Sequence, residues 1–258
     1  MNNQADGHSP LDEIKHWEDR FNNLKIVSTR LKEPKLKKIL GVLEKTDSSY
    51  LPHFTELIKD IEKGHEEAED NLRFLNLLSD PCKKIEAATP KEIPKLLPEV
   101  LNNVRIIFEL SKHYNSMDRM KSLLTKIGNQ IIRRCCKKIN KDDMLNGDVE
   151  KCMRDLDESI ECCNQWRIIC TRTQKIIKKY TTSTVAWNLS GDEDKDNTIF
   201  AENEAFIQRC KDLKEICEGQ LQFAQKGSNS RMPIFGGTRG SEWTTSLNEL
   251  KNEFERYL

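Results

Sequence analysis

The side chains with the greatest chemical reactivity in this chain are its nine cysteines. Two adjacent pairs, Cys135–Cys136 and Cys162–Cys163, fall in helical sequence patterns, where neighbouring residues point about 100° apart. We therefore expect that neither pair contributes both thiols to one compact site. No CxxC spacing occurs, so neither a zinc site nor a disulfide framework is indicated. We predict free, buried thiols that pack as small hydrophobic side chains, chiefly Cys163, Cys170, Cys210 and Cys217.

The histidines and glycines do not form a pattern of known catalytic use. HExxH is absent, and His65, although followed by Glu66 and Glu69, lies on an apolar helical stripe that favours a hydrogen-bonded boundary residue. FGGTRG at 235–240 has no strand before it and no Lys-Ser/Thr after it, so a tight turn is the simpler interpretation. No GxxxxGK[ST] motif occurs. We predict no catalytic residue, no cofactor-binding residue, no metal ligand and no enzyme activity.

The composition excludes several classes of protein. Lys plus Arg and Asp plus Glu are equal at 42 each, so a general nucleic-acid-binding surface is not expected. Charged residues make up 33% and hydrophobic residues 36%, which is typical of helices with one apolar stripe. No apolar run approaches the roughly 20 residues of a membrane span, and MNNQADGHSPLDE is not a signal peptide. We expect a cytoplasmic protein with reduced thiols and with neither nucleic acid nor membrane as partner.

Apolar residues recur every three or four positions along most of the chain. This period predicts an all-α fold, an elongated array of antiparallel helical bundles. We divide the chain into a disordered N-terminus at 1–10, a first helical segment at 11–80, a Pro-rich connector at 81–98, a long-helix bundle at 99–226, a Gly/Ser/Arg loop at 227–241 and a C-terminal helix at 242–258.

Prolines and polar residues set the expected boundaries of these helices. Pro34 separates the first two helices, and Asp80-Pro81 is expected to end the third. Thr89-Pro90-Lys91-Glu92 is typical of a capped start, and Pro98 is expected at the start of a helix from Glu99 to about Tyr114. The stripe from Met120 to Cys135 continues that helix or follows a kink near Asn115-Ser116. Another long helix starts at Asp148 and reaches Tyr180.

The last helix ends without a cap, so it needs a partner face and is expected to be truncated. Its stripe comprises Trp243, Leu247, Leu250, Phe254 and Tyr257.

The remaining aromatic and charged residues have structural interpretations. We expect Trp17, Trp166 and Trp243 in the core, whereas Trp187 pins its loop or faces a partner. A basic cluster, Arg133-Arg134 with Lys137-Lys138, complements a helix dipole, and binding of an acidic partner is the alternative. The acidic runs at 66–70 and 192–196 are interpreted as solvated faces.

Several blocks of the chain, taken in order, resemble the N-terminal stem region of dynein heavy chains, most of all those of axonemal dyneins. They lie within about residues 48–258 and read SSYLPHFTELIKDI, EAEDNLRFLNLL, NNVRIIFELSKHYNSMDRMKSLLTKIGNQII, CCNQW, IFAENEAFIQRCKDLKEIC and PIFGGTRG. The family has similar NN-x-R-x-I and SxxYN stretches and an AFxxRCxDLxE helix followed by a P-x-FGG-x-xG turn. None of these is a catalytic signature, and the specificity of the resemblance comes from their number and order.

The resemblance implies a non-catalytic stem segment that serves heavy-chain association in a microtubule motor complex of cilia. Its implied partners are dynein intermediate chains, light chains and other dynein heavy chains, in the cytoplasm, the cytoskeleton and the ciliary axoneme. The ATPase ring, linker and stalk come much later in a complete heavy chain, so the chain looks like a fragment without the motor.

Two alternatives from other classes remain open. One is a cysteine-rich cytosolic helical protein that responds to redox conditions or to metal. The other is an unrelated helical adaptor, against which the absence of a fixed sequence repeat counts.

Overall fold

The described part of the chain is helical wherever it has regular structure. The computed structural model describes residues 9–139, 148–180 and 199–226, with the backbone alone at 177–180 and 220–226. The helices are α1 (Pro10–Leu31), α2 (Pro34–Lys45), α3 (Leu51–Leu75), a 3₁₀ turn (Asn76–Leu78), α4 (Ser79–Ala87), α5 (Ile93–Leu110), α6 (Met117–Lys138), α7 (Val149–Tyr180) and α8 (Ala201–Lys226). No strand occurs within these ranges, so the all-α prediction is confirmed. None of these helices is long and apolar enough to span a membrane.

Helix α1 begins with the polar groups that a helix N-terminus requires. The Asp12 amide donates to Ser9 Oγ (3.3 Å), and the Ser9 amide donates to Asp12 Oδ2 (3.0 Å), which forms a capping box. Pro10 occupies the first helical position, where a missing N–H has no consequence. Pro34 opens α2 in the same way, so the predicted break between the first two helices is confirmed.

Two helix boundaries that were predicted at prolines are wrong. Helix α3 ends at Leu75, and Pro81 lies in the first turn of α4, where a residue without an N–H is tolerated. Pro98 lies inside α5 rather than at its start. Helix α5 begins earlier because Thr89 donates from its amide (2.8 Å) and its hydroxyl (2.7 Å) to Glu92 Oε2, and these bonds lower the pKa of Glu92. The predicted capped start at Thr89 is therefore confirmed.

The chain forms two compact units, Met1–Cys82 with Val100–Leu123 and Lys83–Glu99 with Leu124–Leu258. In the first unit, α1 packs antiparallel on α3. The rings of Phe21 and His65 lie 5.0 Å apart, and a Cβ placed on Gly64 would lie 3.6 Å from Leu24 Cδ1. Trp17 is fully buried in this unit, as predicted, together with Ile14, Ala68, Leu75, Leu78, Val104, Ile107 and Met120.

Arg119 of α6 connects three segments of the first unit. Its guanidinium donates to the His113 carbonyl (2.5 Å) and to Glu67 Oε1 on α3 (2.5 Å). The same group lies 5.3 Å from the ring centroid of Trp17 on α1 and 5.9 Å from that of Tyr114. A cation over aromatic faces gains most where water is excluded, and Trp17 is fully buried. We call this set, Arg119 with Glu67, Trp17 and Tyr114, the Arg119 junction.

Asp70 of α3 organises the turn between α5 and α6. Its Oδ2 accepts from Ser111 Oγ (2.8 Å), the Lys112 amide (2.9 Å) and the His113 amide (3.2 Å). These bonds satisfy backbone groups where α5 stops, so α6 is a separate helix and not a continuation of α5.

The acidic run at 66–70 was predicted to be a solvated face. That interpretation holds for Glu66 and Glu69, which are exposed, and is wrong for Glu67 and Asp70. The two exceptions are the members of the run whose carboxylates meet donors from the segment around α6.

In the second unit, α7 packs on α8, and two exposed ion pairs join them. Arg167 pairs with Glu204 (3.3 Å), and Lys214 pairs with Asp157 (2.7 Å). The second pair raises the pKa of Lys214 through its hydrogen bond to the carboxylate.

Trp166 fills the space between α7 and α6 in this unit. It is fully buried, as predicted, and a Cβ placed on Gly128 of α6 would lie 3.3 Å from its Nε1. The absence of a side chain at Gly128 therefore lets the indole approach the α6 backbone.

The basic cluster at the end of α6 has partners within the second unit. Arg134 Nε donates to the Ala88 carbonyl (2.6 Å), next to the last residue of α4, where a cation complements the helix dipole. Lys138 forms an ion pair with Asp155 of α7 (3.5 Å). These contacts favour the structural interpretation of the cluster, although the dipole that Arg134 complements belongs to α4.

The Arg119 junction predicts an asymmetry between two ion pairs of the first unit. Arg119→Met deprives Glu67 and the His113 carbonyl of their donor in a half-buried setting, so the free energy of unfolding should fall by about 2–3 kcal/mol. Arg105→Met, which breaks a more exposed pair with Glu109 (3.1 Å), is the matched control and should cost less than about 0.5 kcal/mol. Urea denaturation followed by circular dichroism measures both, and equal losses would contradict the prediction.

Candidate functional site

The cysteines of the second unit are the closest approach to a reactive centre in the described residues. Cys162 and Cys163 of α7 both donate hydrogen bonds to the sulfur of Cys135 on α6. The nearby Ser159 hydroxyl donates to the Asp155 carbonyl (2.8 Å). We call Cys135, Cys162 and Cys163 the thiol cluster. All three are fully buried, and no disulfide links any of the described cysteines.

The thiol cluster leaves the expectation about adjacent pairs unchanged, because in the described residues it is neither a disulfide nor a group arranged to hold a metal ion. Cys162 and Cys163 diverge by about 100° around α7. A third thiol on a facing helix can lie between the two directions, and Cys135 does so. The periodic pattern of α7 alone gave no sign of this, because it depends on how α6 faces α7.

The pKa values of most of these thiols are raised. Hydrogen bonding to Cys135 and burial together raise the pKa values of Cys162 and Cys163, while the same donors lower that of Cys135. Burial raises the pKa values of Cys136 and Cys170 to about 12. A thiol must lose its proton to act as a nucleophile or a metal ligand. The arrangement therefore favours packing over reactivity for every one of these thiols except Cys135.

Four cysteines that were predicted to pack as hydrophobic side chains are buried, which confirms that prediction: Cys163, Cys170, Cys210 and Cys217. Within the described ranges, no group of three or more His, Cys, Asp or Glu side chains is arranged to hold a metal ion.

His65 and His113 are both half-buried in the first unit. His65 packs its ring on Phe21 at the boundary of the core, as predicted, but its buried Nε2 has no hydrogen-bond partner among the described residues, so the predicted hydrogen bond is wrong. His113 contributes main-chain groups, with its amide donating to Asp70 and its carbonyl accepting from Arg119. The structure brings neither imidazole together with a nucleophile or a metal-ligand set in the described residues.

Several sequence predictions lie outside the described residues. They are the loop residue Trp187, the acidic run at 192–196, the FGGTRG turn at 235–240, and the C-terminal stripe with Trp243, Leu247, Leu250, Phe254 and Tyr257.

One end of the first unit has exposed apolar side chains instead of a buried core. From residue 18 to residue 67, all of which are described, no residue is buried. Large apolar side chains are exposed there by 40–73%: Ile26, Val27, Ile39, Val42, Tyr50 and Leu57. Helix α2 has no buried residue although its sequence carries an apolar stripe. Contiguous apolar exposure of this kind marks interaction sites.

Comparison with known proteins identifies the family. A family model described as dynein heavy chain, N-terminal region 1, matches residues 1–258. The chain belongs to this family of dynein heavy-chain N-terminal regions. The resemblance found in the sequence motifs is thereby confirmed.

The dynein relatives are flagellar, ciliary or axonemal proteins. The chain is 38% identical over 246 residues to the dynein-1-beta heavy chain of the flagellar inner arm I1 complex of Chlamydomonas reinhardtii. It is 25% identical over 246 residues to the dynein beta chain of the flagellar outer arm of the same organism. Both matches cover 95% of this chain and 5% of the relative.

A human relative matches a shorter part of the chain. Dynein axonemal heavy chain 2 of Homo sapiens is 36% identical over 118 residues, which is 46% of this chain and 3% of that protein. The chain thus spans about 5% of the length of the first relatives it matches. The dynein assignment therefore concerns an N-terminal region, and the activities of a complete heavy chain are separate properties.

Buried thiols give the dynein region a specific dependence of stability on pH. An unfolded thiol ionises near pH 8.5, whereas burial raises the pKa of Cys170 to about 12. Because the folded pKa is the higher one, the Cys170 contribution is complete below about pH 8.5. It should be lost by about 1.4 kcal/mol per pH unit as the pH rises from there towards 12.

The variant Cys170→Ala tests this dependence. Between about pH 9 and 10.5, its free energy of unfolding should fall less steeply with pH than that of the wild type, by one proton. Leu156→Ala, at another buried position of α7, is the matched control, since it opens a cavity without removing a thiol. Denaturant titrations at several pH values give the slopes, and an unchanged slope for Cys170→Ala would contradict the prediction.

Proposed function

We propose that this chain is a non-catalytic stem segment of a dynein heavy chain in a ciliary motor complex. Its role is to hold subunits together, through association with another heavy chain and through binding of intermediate and light chains. Its site of action is the cytoskeleton of the axoneme. The observation that carries the proposal is the family match over residues 1–258, together with relatives named as flagellar, ciliary or axonemal dyneins.

The chemistry of the described residues supports a scaffold rather than an enzyme. The charged groups with the most contacts are used internally, as in the Arg119 junction and the Arg134 contact with the end of α4. The raised pKa values of Cys136, Cys163 and Cys170 keep these thiols protonated, so they act as packing groups. Among the described residues, six of the ten large apolar side chains that are exposed, and so available to a partner, lie between residues 18 and 67.

The thiol cluster is the observation that favours the redox- or metal-responsive alternative. Full burial of Cys135, Cys162 and Cys163 argues against it, because solvent-borne oxidants and metal ions act on accessible thiolates. The scaffold function is therefore preferred.

Co-purification of the tagged chain with dynein subunits from a salt extract of axonemes tests the proposal. Mass spectrometry should identify dynein intermediate chains and a second heavy chain. Leu250→Asp with Phe254→Asp, which places charges on the predicted C-terminal stripe, should reduce their recovery by about tenfold. Asn248→Asp with Asn252→Asp adds the same charge to the predicted polar face and should leave recovery unchanged.

Two outcomes would count against this function. One is a stable monomer that recovers no dynein subunit. The other is an equal effect of both double variants, which would show that charge rather than the apolar stripe determines recovery.

A further inference from the structure

The end of the first unit that lacks buried residues, 18–67, has ten Lys or Arg and ten Asp or Glu, but they are unevenly distributed along the chain. Residues 25–45 include the last turns of α1 and all of α2. They contain seven Lys or Arg and two Glu, and all seven cations are exposed. We call residues 25–45 the basic tip. Its excess of five positive charges stands in a chain whose formal net charge is zero.

The basic tip has an open apolar strip between its cations. Ile39 and Val42 are three residues apart on α2, so they share one side of that helix, and they are 49% and 59% exposed. Ile26 and Val27 are exposed at the end of α1, which packs against α2. The strip is therefore unpaired on two neighbouring helices that already contact each other.

The helices of the tip form an incomplete bundle. Helices α1, α2 and α3 pack on one another, yet their inward apolar residues remain half-exposed at Leu24, Leu36, Leu40, Leu43 and Phe54. A helix buries its apolar stripe fully only when further helices cover it. One more amphipathic helix would supply this cover and would bury Ile39 and Val42.

We propose that the basic tip binds an α-helix of another protein subunit that has a leucine-type apolar face flanked by acidic side chains. This inference rests on the proposed function, because it defines the chemistry of one partner in the dynein complex. The apolar face covers Ile39 and Val42, and the acidic flanks meet the cations at Lys35 and Lys38, which lie one turn before Ile39 and Val42 on the same side of α2.

Two other occupants fit the tip less well. A second copy that docked tip to tip would bring an identical excess of five positive charges against the first tip, and like charges repel. An anionic membrane surface favours helices with Trp or Phe on the apolar face, and residues 25–45 contain no aromatic residue.

The test uses two synthetic peptides of about four heptads, each with leucine at positions a and d. One peptide carries glutamate at the flanking e and g positions, and the other carries lysine there. Isothermal titration of the 258-residue chain should give at least tenfold tighter binding of the glutamate peptide, with an affinity that falls as salt rises.

Variants locate the binding surface. Ile39→Glu with Val42→Glu should weaken binding of the glutamate peptide at least tenfold. Ile168→Glu with Ile176→Glu, at two similarly exposed isoleucines of α7, is the matched control and should change it less than twofold. Lys35→Glu with Lys38→Glu should reverse the preference towards the lysine peptide. All of these positions are exposed, and circular dichroism verifies that each variant folds.

Any of three results would overturn the proposal. They are equal affinity for the two peptides, displacement of the glutamate peptide by vesicles of phosphatidylcholine and phosphatidylserine, and a dimer of the chain that Ile39→Glu with Val42→Glu dissociates. Recovery of dynein subunits that this variant leaves unchanged would reject the tip assignment and leave the proposed function standing. Failure to recover any subunit with the wild-type chain would instead reject the proposed function.

Discussion

A helix with a single apolar stripe excludes water from that stripe only where other helices cover it from more than one side. Helices α1 and α3 show this constraint within their own lengths. Both are buried near Trp17 and Ala68, the level at which Arg119 and Asp70 bring in the segment around α6. Beyond that level, from residue 18 to residue 67, the same two helices have no buried residue. The number of covering helices, and not the local sequence, therefore decides where the first unit has a core.

Polar side chains determine which helices cover one another. The guanidinium of Arg119 meets a carboxylate, a carbonyl and two aromatic faces, so much of its hydration is replaced by protein contacts. Such a group is stable inside a protein only if its partners are fixed. Loss of any one partner leaves the others in a poorly hydrated position. A network of this type selects one register of α6 against α1 and α3, whereas leucines alone would tolerate several.

The periodicity of the sequence was sufficient to predict the helices and the burial of Trp17, Trp166 and Cys163, because these depend on local spacing. The errors share one cause, which is that their outcome depends on residues distant in the sequence. Glu67 and Arg119 are 52 residues apart, so no local pattern distinguishes Glu67 from the solvated Glu66. The same holds for the thiol cluster and for the exposed surface of α2, whose apolar stripe predicts burial and lacks the helices that would provide it. Of the boundaries predicted at prolines, the one at Pro34 is confirmed, whereas Pro81 lies in the first turn of α4, which accepts proline, and Pro98 lies inside α5.

Binding of charged partners also depends on where the charged residues lie and not only on the net charge of the chain. The total of zero excluded a general polyanion-binding surface, and that argument remains valid for the chain as a whole. It says nothing about a stretch as short as the basic tip, because charges separated by more than about 10 Å are screened from one another at ordinary ionic strength. Acidic residues that offset this excess lie on the neighbouring helix α3, including Glu56, Asp60 and Glu62, so the excess of positive charge belongs to α2 and the end of α1 and not to the whole end of the unit. A partner helix that docks at residues 25–45 therefore responds to the local excess of positive charge. A neutral chain can in this way present a charged binding surface while the molecule as a whole has little long-range attraction for nucleic acids or anionic membranes.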